Sequence, residues 1–268
     1  MTAITLGSMS EAGIGQMVRE WRQRRRLSQL ELALAAGVST RHLSFVETGR
    51  SRPSPDMVLG LADHLEVPLR ERNQMLLAAG HAPRFGSRSL DDPELSVIRA
   101  ALGRVLAAHE PYPALAVDRA WNLVASNAAL GPLLEGVSDA LLAPPVNVLR
   151  LALHPEGLAP RIRNLAQWRG HLLHRLIREH AISGDPELGA LRQELVAYPG
   201  PEPERPPGAA EIMVELHIAA GEQELAFFST VTTFGTALDV TVAELSIEAF
   251  FPADAATAQA LSAAGAIA

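Results

Sequence analysis

The 268-residue chain contains no cysteine. That removes disulfides, thiol nucleophiles and zinc-thiolate sites together, leaves stability to packing, and agrees with a reducing compartment. Lysine is absent too, so all 23 Lys-plus-Arg positions are Arg, a bias with little functional weight. No run of about eighteen apolar residues occurs, and no apolar stretch follows a basic start near the N-terminus. Neither a membrane span nor a signal peptide is expected, and the chain reads as cytoplasmic. Compact catalytic signatures are missing as well. Gly13-Ile-Gly15 has no strand before it and no later glycine to make a phosphate loop, and neither Gly-x-Ser-x-Gly nor His-Glu-x-x-His occurs. Nucleophiles and bases stand singly, so no catalytic residue and no cofactor is expected.

The formal net charge is −7, which by itself argues against a polyanionic partner. The charge is unevenly placed. Residues 13–86 hold eleven Arg against seven acidic residues, a net +4, so the remainder carries −11. A basic module on an acidic body is the layout expected when one end of a chain approaches phosphate.

Residues 1–12 lack periodicity and read as a disordered tail. Ile14, Met17, Val18 and Trp21 recur at helical spacing, followed by the basic run Arg22 to Arg26. Ser28-Gln-Leu-Glu31 has the form of a capping box and opens a second helix. Gly37 suits the left-handed residue that ends it, Ser39 is placed to cap a third helix, Ser54-Pro55 opens a fourth, and Leu69 to Ala79 forms a fifth. Residues 13–80 are thus an all-α, five-helix domain, and 81–92, rich in Gly, Ser, Pro and Arg, read as a linker. In 93–268 the spacing predicts a helix after Asp92-Pro93, a hairpin from 114–117 and 122–125, and helices from about Asn147 to Leu195. After a proline-rich loop it predicts strands at 212–218, 225–233 and 240–250, giving an α+β domain with an antiparallel sheet.

The segment from Gln29 meets each demand of a helix-turn-helix. A small Ala33 permits close helix crossing, Gly37 makes the turn, and Leu32, Ala36, Val38, Leu43 and Val46 supply the apolar knobs. The outward residues of the third helix are then Thr40, Arg41, Ser44 and Phe45, behind Ser39. Arg41 can pair both prongs of its guanidinium with guanine O6 and N7 in a major groove. Thr40 can reach a thymine methyl or a phosphate, and Phe45 a thymine methyl, unless Phe45 is core. Gln29 stands where its amide and the free helix amides can hold a phosphate, with Arg50 and Arg52 as further backbone anchors. The run Arg22 to Arg26 reads better as a solvated charged face.

Ser28-Gln-Leu-Glu-Leu-Ala-Leu-Ala-Ala-Gly-Val-Ser39, with Leu43-Ser-Phe-Val-Glu-Thr-Gly-Arg-Ser-Arg-Pro-Ser54, resembles the Cro and phage-repressor (XRE) family across residues 14–80. The resemblance implies a dimer on paired half-sites of double-stranded DNA, with Gln29, Thr40, Arg41 and Phe45 at contact positions. Phe45 departs from the polar residue common there. The later part is similar to the PAS-like ligand-binding domain of MmyB-like regulators over about residues 95–255. The similarity rests on Pro113-Ala-Leu-Ala-Val-Asp-Arg-Ala-Trp-Asn-Leu-Val-Ala-Ser-Asn127, on Asn147-Val-Leu-Arg150, on Trp168 and on the late strands. This implies a one-component bacterial regulator responding to a small apolar ligand, a fatty acid or another apolar small molecule.

Nine of the twelve aromatic residues lie beyond residue 110, and Trp121, Trp168, Phe227 and Phe234 are candidates to line a pocket, or else ordinary core. His171 and His174, one turn apart beside Trp168, can orient a headgroup. A metal would need a further ligand that helical spacing does not supply, so none is expected. Two alternatives stand beside the sensor: a C-terminal enzyme whose N-terminal module autoregulates its gene, and a ligand-free domain that only dimerises or binds a protein partner.

Overall fold

In the computed structural model the described residues are 13–204, 213–235 and 237–265. The expected disordered tail, 1–12, lies outside them. The chain divides into two compact units, one of residues up to Arg88 with Leu238–Val240, the other of Ser89–Ala237 and Thr241 onward.

The first unit is built from α1 (Ile14–Arg24), α2 (Gln29–Ala35), α3 (Thr40–Glu47), α4 (Pro55–His64) and α5 (Leu69–Ala78). Its boundaries follow local chemistry. Ser28 accepts from the Glu31 amide while Glu31 accepts from the Ser28 amide, completing the capping box. Ser39 accepts from His42 N, and Ser54 from Met57 N with Pro55 in the first turn. Gly37 has φ 66°, and Val38 N closes the turn on Ala33 O at 2.9 Å. The core gathers Met17, Val18 and Trp21 of α1 with Leu32, Leu43, Leu61 and Met75. Residues 81–88, in the stretch read as a linker, are held against α5. The buried Asn73 accepts from Arg84 N and Phe85 N and donates to Phe85 O.

The second unit starts with a 3-10 turn, Pro93–Leu95, capped by Asp92. The following elements are α6 (Ser96–Ala107), β1 (Ala114–Val117), β2 (Leu123–Ser126), a 3-10 segment Ala128–Leu134, α7 (Asp139–Leu142) and α8 (Val148–Leu153). Next come α9 (Leu165–Ser183), α10 (Pro186–Ala197), β3 (Leu216–Ala220), β4 (Gln223–Thr233), α11 (Val240–Ala243), β5 (Ser246–Pro252) and α12 (Ala255–Gly265). The strands form one antiparallel sheet in the order β2-β1-β5-β4-β3, the α+β, PAS-like arrangement expected from the sequence.

Two strands start more than two residues from where the sequence places them. The run 240–250 is not one strand, because Val240–Ala243 is a helical turn and pairing starts only at Ser246. The strand expected over 212–218 begins at Leu216, and Ile212 lies outside the described residues.

Strand alternation assigns the two faces of the sheet. Leu115, Val117, Leu225 and Phe227 point to a large core with α8, α9 and α10. Ala114, Ala116, Ile247 and Ala249 point to the opposite face, against Leu102 and Leu106 of α6.

Candidate nucleic-acid interface and apolar cavity

The turn between α2 and α3 leaves the start of α3 on the surface. Arg41 is exposed, and Thr40, Ser44 and Phe45 are half-buried. Phe45 stays outside the hydrophobic core. Its ring is flanked by two cations, with the Arg41 guanidinium 5.4 Å and the Arg50 guanidinium 5.9 Å from the ring centroid. The ring therefore steadies Arg41 while leaving its N–H groups open, since among the described residues Arg41 makes no hydrogen bond or ion pair.

Other arginines of the first unit are committed internally. Arg22 forks onto the Glu47 carboxylate at 2.7 and 2.9 Å and also donates to Leu27 O. Arg25 donates to Leu65 O and Glu66 O. Arg52, expected as a DNA-backbone anchor, donates through Nε to Ala79 O, and its guanidinium occupies the space beside Gly80 (φ 72°) where a Cβ would stand. Gln29, expected to hold a phosphate, donates its side-chain amide to Glu47 Oε2 at 2.8 Å. Ser39 is the cap of α3.

Glu47 is a hub that sequence reasoning missed. Its side chain is fully buried, yet it receives Arg22 and Gln29 and lies 3.5 Å from Arg19. Burial works against its charge, but the hydrogen bonds from Arg22 and Gln29 and the charges of Arg22 and Arg19 hold its pKa below the ordinary carboxylate value. One carboxylate thus ties α1 and α2 to the end of α3 and fixes the angle at which α3 is presented. Gly15 belongs to the same junction. A Cβ there would stand 2.4 Å from Val46 O and 2.8 Å from Glu47 O, so α1 and α3 meet backbone to backbone.

In the second unit, a cavity of about 80 Å³ lies between the sheet and the helices α8 and α9. Its walls are apolar apart from one carboxylate, Glu248 of β5. Trp121, Trp168 and Phe227 line it, three of the four aromatic residues expected to line a pocket. His171 is not in the lining; it stacks on Trp168 from the side at 5.2 Å, and burial, with Arg175 and His174 nearby, pushes its pKa down. Phe234 belongs to the opposite face of the sheet, with α6.

Trp121 is set by a compact turn. Asp118 Oδ1 accepts from Ala120 N and Asn122 N, and Trp121 itself has φ 66°, a region bulky side chains rarely enter. That backbone sends the indole inward, where Nε1 donates to Glu179 Oε2 at 2.8 Å and the Arg175 guanidinium covers the ring at 4.2 Å. Arg175 continues to Glu248 at 3.1 Å.

A family model described as the MmyB-like transcription regulator ligand binding domain matches residues 98–264, more than half of the chain. The chain belongs to the MmyB-like transcription regulators. A second model, described as helix-turn-helix, matches residues 18–72, over α1 to α5. This MmyB-like regulator is 32% identical over 134 residues to an uncharacterised HTH-type transcriptional regulator of Mycobacterium tuberculosis, half of this chain and 45% of that protein. It is 38% identical over 72 residues to the uncharacterised HTH-type transcriptional regulator RghRB of Bacillus subtilis, 26% of this chain and 50% of that one. The matches thus span about half the length of these relatives. Among solved structures, the clp gene regulator ClgR of Corynebacterium glutamicum is similar at 25% identity and TM-score 0.23, over 39% of this chain and 97% of that one.

The chain thus joins a helix-turn-helix domain to the domain that defines the MmyB-like transcription regulators. The asparagines in its family-like segments have structural work. Asn127 accepts from Ala114 N and donates to Tyr112 O, closing the β1–β2 hairpin. Asn147 donates to Ala120 O and caps α8 through Arg150 N, clasping the turn that carries Trp121. Arg150 then forks onto Glu194 of α10 at 2.7 Å through both nitrogens. Among the described residues no group of three or more His, Asp or Glu is arranged to hold a metal ion, and no helix is long and apolar enough to cross a membrane.

Proposed function

We propose that this MmyB-like regulator works as a one-component switch in the cytoplasm: a homodimer reads an operator through α3, and occupancy of the apolar cavity changes its affinity for that operator. The observation that carries the DNA reading is the contrast among arginines. Arg22, Arg25 and Arg52 are consumed by internal acceptors, whereas Arg41 stands exposed at the start of α3, stacked on Phe45 with its N–H fork free. A guanidinium presented that way matches guanine O6 and N7. Thr40, Ser44 and Arg50 are the neighbours within reach of bases or phosphates. Gln29 and Arg52 serve the scaffold that aims α3, and Ser39 starts the helix. For a two-fold dimer, the recognition helices sit about 34 Å apart, one turn of B-DNA.

The ligand reading rests on an almost wholly apolar cavity lined in part by a tryptophan in a strained backbone conformation, the kind of feature folds retain at functional positions.

Operator fragments recovered by selection against the full-length protein provide the test. Arg41→Ala should cost about 1–3 kcal/mol on the best operator and relax base preference at one position per half-site. Uniform weakening on every sequence would make Arg41 a phosphate contact, and wild-type protein without preference over random duplex would refute the operator reading.

A further inference from the structure

The wall of the cavity carries one charge, and it is negative. Glu248 sits opposite Leu115 of β1 and Val231 of β4, with its side chain only 7% exposed. Both of its hydrogen bonds fall on Oε1, from Arg175 Nη1 at 3.1 Å and from Ser229 Oγ at 3.0 Å; among the described residues Oε2 accepts none. Arg175 is not free to neutralise a second anion. Its Nε is bound to Glu179 Oε1 at 3.0 Å, so a single guanidinium is divided between two carboxylates and the cluster is left with one net negative charge. His171, one turn before Arg175 on α9, adds no compensating charge, because burial and that same guanidinium favour its neutral form.

We propose that the ligand of this cavity is an apolar molecule whose polar end is a hydrogen-bond donor, a protonated amine or a hydroxyl, received by Glu248 Oε2. The proposal rests on the reading of the cavity as the sensor site. A donor meeting a buried carboxylate makes a charge-assisted hydrogen bond, stronger than a neutral one and little screened by solvent. A carboxylate end would be pressed against a like charge in a poorly solvated space. Fatty-acid-like ligands, implied by the family resemblance, are therefore disfavoured here in their ionised form. The tail has limited room: an apolar cavity of roughly 150 Å³ accepts benzene, and this one, at about 80 Å³, takes the polar end and a few carbons unless the leucines around it move apart.

The experiment uses the full-length protein with hexan-1-amine, hexan-1-ol, hexanoate and benzene, followed by calorimetry and thermal shift near neutral pH. The amine and the alcohol should bind at least about tenfold more tightly than hexanoate and than benzene, the margin of one hydrogen bond to a charged group. Glu248→Gln should weaken the amine about tenfold and bring it level with the alcohol. Ser229→Ala, which leaves the carboxylate in place, should preserve the wild-type order and covers the case in which the Gln variant fails to fold. Tighter binding of hexanoate, or amine and alcohol no better than benzene, overturns the donor assignment and leaves the sensor reading standing. If none of the four binds, the sensor reading falls and this assignment with it.

Discussion

Glu47 shows how a single side chain sets the geometry of an interface it does not belong to. Its carboxylate is enclosed by α1, α2 and α3; the two cations that balance it, Arg19 and Arg22, come from α1, and a neutral amide donor, Gln29, comes from α2. Removing it takes from Arg22 the carboxylate it forks onto. Glu47→Ala should destabilise the first unit by about 3 kcal/mol, the low end for a broken buried pair because Arg22 and Arg19 can still reach solvent. Chemical denaturation measures this, and a loss within error would show that the pair is dispensable. The acid dependence follows from the direction of the shift. A carboxylate held below its ordinary 4.5 in the folded state contributes stability fully above that value, and loses it as pH falls through the lower, folded value. Wild-type and Glu47→Ala stabilities should therefore converge on acidification below 4.5 and stay apart near neutrality. A gap that persists at low pH would assign the cost to packing.

At the scale of elements, junctions matter more than propensities. Gly15 is the point where α1 touches the last turn of α3, and the obstruction to a side chain there is backbone carbonyl oxygen, which cannot swing aside. Gly15→Ala should cost about 1–3 kcal/mol despite the better helix propensity of alanine. A melting temperature equal to or above wild type would contradict the close approach. The helix starts at Ser28, Ser39, Ser54-Pro55 and Asp185-Pro186 are legible in the sequence because each cap is a bond between residues two or three apart. Val240-Thr-Val242 was not, since a short β-branched run is consistent with strand or helical turn and only the chain's surroundings decide. Nor was the division between cavity and core. Both faces of this sheet are apolar, so Phe227 and Phe234 look alike in the sequence while packing on opposite sides. Glu47 and Glu248 were hidden for a related reason: an isolated acid in an amphipathic segment reads as surface, and its burial depends on partners 18 to 73 residues away.

At the scale of the whole molecule, the proposed switch carries a thermodynamic obligation. If the occupant of the cavity changes operator affinity by some factor, operator must change the occupant's affinity by that same factor, typically 5- to 150-fold, or about 1–3 kcal/mol. Titrating hexan-1-amine into the protein alone and into its operator complex should return matching ratios to those from the reverse titration. Identical amine affinity with and without DNA would mean that the cavity and α3 are uncoupled, whatever each binds. The charge layout adds a second handle, because with a positive first unit on an otherwise acidic chain the proposed operator binding should be steeply salt-dependent, and the proposed binding in the apolar cavity should not.

Two of the three tryptophans, Trp121 and Trp168, face the cavity, and the remaining one, Trp21, is sealed in the core of the first unit. The chain consequently carries a built-in optical gauge. Whatever enters beside those two indoles changes the environment of two of the molecule's three tryptophans, so arrival of a guest can be followed by the protein's own light, without a dye.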